Sequence, residues 1–267
     1  MIVDATVAGV AGVAIGAVAG SFIATIAVRW PDDRSITTGR SACDSCGGIL
    51  RFWELVPIAS WLALRGRCAR CGAAIAPTHA LVEAASAVIG AGALWLSPDL
   101  GGLALALLGW QLLLLGWLDA KHMWLPHMLS GVLALSGLMV GGFAMASIGL
   151  AVTAQDQLIG LVAGYATLAL IALAYRRIRG RDGLGGGDAP MLGAIGAWTG
   201  WALLPMVLLF AALAGLAVAL VRALRMQSTS DDTDWRTMRL PLGTLMALAV
   251  PCALWIAHGL SQTGGLI

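Results

Sequence analysis

Residues 100–119 read LGGLALALLGWQLLLLGWLD, an apolar run without a charged side chain that ends at Asp119. About 20 mainly apolar residues are enough for an α-helix to cross the hydrocarbon core of a bilayer. The run therefore predicts a transmembrane helix. It also places a carboxylate at the point where that helix leaves the membrane.

The composition of the whole chain agrees with a membrane protein. Of its 267 residues, 59% are hydrophobic and 11% are charged, whereas a soluble domain carries roughly 25% charged residues. A water-facing protein of this size cannot hide so much apolar surface in one core, so lipid must cover much of it. The net charge of +2 gives no indication of nucleic-acid binding.

Apolar runs divide the chain into candidate membrane spans. Six runs are each long enough for one span: Ala5–Val28, His79–Leu96, Leu100–Leu118, Trp124–Leu150, Leu158–Tyr175 and Leu240–Gly259. A further block, Ala189–Val221, is too long for one upright span and short for two. Gly200 and Pro205 lie near its middle, where a turn is expected.

The distribution of basic residues predicts the orientation of these spans. All 16 Lys and Arg residues fall within 29–70, at Lys121, within 176–181 or within 222–239. The positive-inside rule places these four segments in the cytoplasm, and the alternation then requires Ala189–Val221 to cross twice. The sequence thus predicts an all-α polytopic membrane protein of about eight transmembrane helices, with both termini outside.

Three regions follow from this topology. Residues 1–28 are expected to form the first transmembrane helix, residues 29–78 a cytoplasmic loop domain, and residues 79–267 a membrane core of about seven helices. The first apolar run has no Lys or Arg before it, so we expect a retained span rather than a signal peptide.

Two cysteine pairs dominate the predicted cytoplasmic loop. Cys43 and Cys46 form one C-x-x-C pair, Cys68 and Cys71 form the other, and a glycine follows each pair. This spacing is typical of a structural zinc site with four thiolate ligands. Zinc would also supply folding free energy to a loop with few apolar residues. A thiol–disulfide redox pair is the alternative, although the predicted cytoplasmic location disfavours disulfides.

Two aspartates stand at predicted span ends on the cytoplasmic side. Asp119 follows the apolar run directly, and Asp188 follows Gly185, Gly186 and Gly187 just before the next span. Carboxylates this close to lipid are costly and usually functional. Each alone could be an ordinary acid at a helix end. The three glycines favour a functional role for Asp188, because they let the backbone bend sharply and approach a second chain closely.

The combination of these motifs resembles a known family. The sequence 185–188 is similar to the GxGD signature of membrane aspartic proteases, and with the cysteine pairs the chain resembles the type IV prepilin peptidases over nearly its whole length. Further matching segments occur in family order: Gly20-Ser21-Phe22, Arg29-Trp30-Pro31, residues 57–61, residues 65–68, Leu81-Val82-Glu83, Leu125-Pro126 and residues 194–198. Asp44, His127 and Pro190 depart from the family pattern.

The resemblance implies a function and its site residues. Asp119 and Asp188 would be the catalytic pair of an aspartic endopeptidase, and residues 185–187 would form a turn at the substrate. The substrates would be prepilins of type IV pili or pseudopilins of type II secretion, cut at the cytoplasmic face of the bacterial inner membrane. A second implied activity is methylation of the new N-terminus with S-adenosylmethionine.

Glu83, near the start of the second span, is a candidate for a polar role in that second activity. Its alternative role is that of a helix-end acid tied to an arginine or to the backbone. Two other functions stay open from the residues alone: a proton-coupled transporter that uses membrane acids, and a membrane thiol–disulfide oxidoreductase that uses the cysteine pairs. In each case the lipid bilayer is the expected environment and no nucleic-acid partner is expected.

Overall fold

The structure is a computed structural model that describes residues 4–35, 41–43, 45–226 and 240–263. Within these ranges the chain is helical, with two isolated β-bridges and no strand. It divides into two compact units, Met1–Leu114 and Leu115–Ile267. Most of the basic segment predicted within 222–239 lies outside the described residues, as does Asp44.

The described part of the chain contains ten α-helices. They are α1 (Ala5–Arg29), α2 (Ala59–Ala63), α3 (Thr78–Leu96), α4 (Leu100–His122), α5 (His127–Ser136), α6 (Gly142–Ser147), α7 (Ala154–Arg179), α8 (Asp188–Thr199), α9 (Leu204–Met226) and α10 (Leu242–Gln262). A short 3₁₀ turn, Phe52–Leu55, precedes α2, and a π-helical turn, Gly137–Gly141, joins α5 to α6.

The predicted all-α membrane fold is confirmed. Among the described residues, seven helices are long and apolar enough to cross a membrane: α1, α3, α4, α5 continued through α6, α7, α9 and α10. Each of the six single runs predicted from the sequence coincides with one of these helices. The seventh long helix, α9, comes from the block that was predicted to cross twice.

The block Ala189–Val221, predicted to cross twice, instead forms a short helix, α8, followed by one spanning helix, α9, so the described residues contain seven spans and not eight. The turn falls at Gly200, whose φ of 74° lies in the left-handed region that favours glycine. Helix α8 has only 12 residues and is therefore about 18 Å long, less than the roughly 30 Å of a hydrocarbon core. Apart from half-buried Pro190, all of α8 is buried within its unit.

Glycines bring helices into close contact within each unit. In the first unit, Gly12, Gly16 and Gly20 of α1 face α3; a Cβ on Gly20 would lie 2.7 Å from the Cα of Glu83. In the second, a Cβ on Gly164 of α7 would lie 2.7 Å from the carbonyl oxygen of Leu192 in α8. Small residues at such spacings let helix backbones approach closely, which suits packing in lipid.

Candidate active site and metal centre

Asp119 lies in the last turn of α4 and is only 5% exposed. Its Oδ2 accepts a hydrogen bond of 2.8 Å from the backbone N–H of Thr244 and lies 3.2 Å from the Thr244 hydroxyl. That hydroxyl also lies 2.9 Å from the carbonyl oxygen of Gly116, so its single proton serves one acceptor at a time. The N-terminus of α10 therefore fixes the orientation of the Asp119 carboxylate.

Asp188 is the first residue of α8 and is likewise 5% exposed. The chain turns tightly before it, because the Asp188 N–H donates to the carbonyl of Gly185 at 3.2 Å. In return, the Gly185 N–H donates to Oδ2 of Asp188 at 3.0 Å. Gly187, the residue before Asp188, packs against Leu125, and so does Gly243 beside the Asp119 carboxylate. Leu125 thus connects two carboxylates that stand 69 positions apart in the sequence.

Leu125 packs between Gly187, the residue before Asp188, and Gly243 at the start of α10. A Cβ on Gly187 would clash with the Leu125 Cβ and would lie 2.8 Å from its carbonyl oxygen. A Cβ on Gly243 would lie 2.7 Å from Leu125 Cδ1 and 3.0 Å from Oδ2 of Asp119. Gly187 therefore needs glycine for steric reasons, whereas at Gly243 a Cβ would meet only the ends of side chains. Gly186 differs, since a Cβ there would have nothing within 4 Å.

Gly243 and Thr244 are residues of this site that the sequence analysis missed. They follow Pro241 and Leu242 at the start of α10, and Thr244 is separated from Asp119 by 125 positions. The available signal was a Pro-Leu-Gly-Thr segment at the start of an apolar run, which alone indicates only the beginning of a helix. His122 and His127 are exposed, and among the described residues neither has a hydrogen bond to either aspartate.

The four loop cysteines form a second cluster, in the first unit. Each pair lies in the same kind of turn: the N–H of Cys43 donates to Gly48 O and that of Cys68 to Ala73 O. The glycine after each pair has a positive φ, 66° at Gly47 and 69° at Gly72. An antiparallel bridge closes each turn, Ala42 with Ile49 and Arg67 with Ala74. The Sγ atoms of all four cysteines lie within 4.8 Å of one another.

This arrangement fits a tetrahedral metal ion. A Zn–S bond of about 2.3 Å separates ligand sulfurs by roughly 3.8 Å, and the Cys43 and Cys71 sulfurs are 3.9 Å apart. The N–H groups of Cys71 and Arg70 lower the pKa of Cys68 to about 7. The Ala73 N–H lowers the pKa of Cys71, but burial and the three neighbouring sulfurs raise it to about 11. A divalent cation would stabilise all four groups as thiolates.

Glu83 lies near the start of α3 and is 7% exposed. Its Oε2 accepts a 2.8 Å hydrogen bond from the backbone N–H of Ile58. Among the described residues no arginine pairs with it. A helix-end acid was expected to pair with an arginine or with the backbone, and in the structure Glu83 pairs with the backbone.

Comparisons with known proteins agree with the sequence resemblance. Residues 14–97 match the bacterial peptidase A24 N-terminal domain, and residues 105–220 match the type IV leader peptidase family. No solved structure gives a significant match.

Several curated relatives carry one name, prepilin leader peptidase/N-methyltransferase. The relative from Burkholderia pseudomallei strain 1026b is 39% identical over 222 residues, which are 81% of this chain and 67% of the relative. The one from Pseudomonas aeruginosa is 35% identical over 226 residues, which are 84% of this chain and 73% of the relative. The one from Stutzerimonas stutzeri is 35% identical over 212 residues, which are 78% of this chain and 69% of the relative.

Proposed function

The chain belongs to the type IV leader peptidase family, and from that membership we propose that it removes the leader peptide from prepilins or pseudopilins and methylates the new N-terminus. The proposed peptidase site is the pair Asp119 and Asp188, and the proposed location is the cytoplasmic face of the bacterial inner membrane. One observation carries the proposal: two buried carboxylates stand at helix ends, each accepts a backbone N–H, and the glycines beside them both pack against Leu125.

The proposed mechanism is that of an aspartic peptidase. Neighbouring carboxylates do not ionise together easily, so the proposed pair holds one proton between them. The ionised member takes a proton from water, that water attacks the scissile carbonyl, and the protonated member supports the developing oxyanion. The pair acts as a unit, so neither role is assigned to one residue.

The position of the two aspartates suits a substrate that is partly in lipid. Asp119 is in the last turn of a spanning helix and Asp188 begins a helix, so the cut would fall where a soluble leader joins an apolar helix. This position also distinguishes the peptidase from a proton-coupled transporter, because the acids of a proton relay lie deep within the spans.

The experiment that tests the proposed function uses the purified protein in detergent with a candidate prepilin. We expect mass spectrometry to show a shortened pilin whose new N-terminus is heavier by one CH₂ unit when S-adenosylmethionine is present. The donor supplies the methyl group when bound. An unprocessed pilin under conditions in which a known leader peptidase cuts it would contradict the proposal.

We further propose that Cys43, Cys46, Cys68 and Cys71 hold a structural zinc ion. Metal analysis should find about one zinc per chain, and the double substitution Cys46→Ser with Cys71→Ser should remove it and make the loop sensitive to protease. Cys252, an exposed thiol in α10, gives the matched control, since Cys252→Ser should leave the zinc content unchanged. A disulfide between the loop cysteines of the active protein would instead favour the oxidoreductase.

A further inference from the structure

The N-terminus of α10 is capped by a residue of α4. The first four N–H groups of an α-helix have no carbonyl partner within the helix. Pro241 stands at the cap position of α10 and makes no side-chain hydrogen bond there, and Thr244 is the third residue of the helix. The Thr244 N–H donates instead to Oδ2 of Asp119 at 2.8 Å. Asp119 thus takes the role that a side chain of the preceding residue usually has, and the helix dipole favours its negative charge.

The Thr244 hydroxyl is a second donor, and unlike the N–H it can change its acceptor. It lies 3.2 Å from Oδ2 of Asp119 and 2.9 Å from the carbonyl oxygen of Gly116. A hydroxyl rotates to suit its surroundings, and its one proton serves a single acceptor at a time. The Gly116 carbonyl lies within α4, where the N–H four residues further on also donates to it. It therefore does not depend on the hydroxyl, which is free to turn to Asp119.

The proposed chemistry changes the charge of the aspartates within each turnover, because one proton moves between water, the pair and the substrate. A carboxylate that gains and loses a proton needs a donor when it is charged and less of one when it is neutral. Both hydrogen bonds from Thr244 are to Oδ2 of Asp119. The other oxygen of this carboxylate, Oδ1, is then the one that remains for the attacking water or for the shared proton.

We propose that Thr244 is a positioning residue for leader cleavage, whose N–H holds Asp119 in place and whose hydroxyl turns between Gly116 and Asp119 as the charge of Asp119 changes. The proposal rests on the proposed peptidase function. Thr244 neither gives up nor takes up a proton, since its hydroxyl only rotates about the Cβ–Oγ bond. A donor that is already in place stabilises the charged carboxylate without a rearrangement of the backbone, and it releases the carboxylate when the charge is lost.

Two substitutions of Thr244 in the full-length protein separate the hydroxyl from the rest of the residue. Thr244→Val keeps the branched shape and the N–H but has no hydroxyl, and we expect it to lower kcat for prepilin cleavage about tenfold with KM unchanged, because a hydrogen bond to a charged group is lost. Thr244→Ser keeps the hydroxyl and should stay within roughly twofold of the wild type.

Thr199→Val is the matched control for the loss of a threonine hydroxyl. Thr199 is buried in the same unit, and its hydroxyl lies 3.0 Å from the carbonyl oxygen of Ile195. It is the last residue of α8, at the opposite end from Asp188. Thr199→Val should therefore cleave prepilin with the kcat and KM of the wild type.

The outcomes separate this inference from the proposed function. A lower kcat in Thr244→Val alone, with normal cleavage by Thr244→Ser, supports the positioning role. If both variants cleave as the wild type does, if both lose the same activity, or if Thr199→Val loses as much as Thr244→Val, the inference is overturned while the proposed function stands. A raised KM with unchanged kcat in Thr244→Val means that Thr244 contacts the substrate, which also overturns it. A wild type that does not cut a prepilin that a known leader peptidase cuts overturns both.

Discussion

Asp119→Asn and Asp188→Asn are each expected to reduce leader cleavage by at least about 10³-fold, because loss of one carboxylate removes the shared proton on which the proposed chemistry depends. Asparagine retains the shape of the side chain and an oxygen that accepts the existing backbone hydrogen bond, from Thr244 in one case and Gly185 in the other. The variants should therefore insert and melt as the wild type does. Cleavage is measured on a prepilin in detergent by the mass of the product.

The chain provides a control for these substitutions close to the site. Asp182 lies six positions before Asp188 and is exposed, with a 3.6 Å ion pair to Arg176. Asp182→Asn removes an acid from the same connection and should leave cleavage within about twofold of the wild type, as expected for an exposed ion pair. If Asp119→Asn or Asp188→Asn cleaves at the wild-type rate, the substituted residue is not catalytic.

The second large effect is expected at Gly187. A Cβ there would collide with the Cβ of Leu125 and with its carbonyl oxygen at 2.8 Å. Backbone cannot yield as a flexible side chain does, so Gly187→Ala must displace the turn and the adjacent Asp188. Because a displacement of about 1 Å can cost roughly 10²-fold in rate, we expect Gly187→Ala to lower the cleavage rate by about that factor.

Gly186 is the matched comparison within the same turn. A Cβ at this position would meet nothing within 4 Å, so Gly186→Ala should keep nearly full activity. Gly185→Ala should fall between the two, since its Cβ would lie 2.9 Å from Oδ2 of Asp188, an atom that can rotate away. Equal cleavage rates for the variants at Gly186 and Gly187 would show that close backbone approach is not what this turn requires.

Hydrophobicity predicted the spans well but not their internal structure. The run Leu158–Tyr175 extends in the structure to Ala154, because Thr153 and Asp156 form a capping box ahead of the apolar residues. The run Trp124–Leu150 starts its helix only after Pro126 and contains a π-helical turn. Composition does not reveal such a turn, since it depends on packing against neighbouring helices. The short length of α8 could not be predicted either, because its residues belong to one long apolar block.

The residues of the candidate site that belong to short sequence motifs could be predicted. The glycine turn before Asp188 and the two C-x-x-C pairs are local motifs. In the structure the glycines form a tight turn and the four cysteines cluster. Gly243 and Thr244 are not local, because they meet Asp119 only through the packing of α10 against the end of α4. A glycine and a threonine at a helix start are too common to indicate contact with one particular carboxylate.

The contact between Thr244 and Asp119 also bears on how the protein matures. Asp119 and Asp188 are synthesised before α10, and until α10 is in place the Asp119 carboxylate lacks the donors that orient it. We therefore expect that an incomplete chain does not cleave prepilin until α10 has been synthesised. Competence to cut would then be acquired late, when the helices around the two acids are already in place.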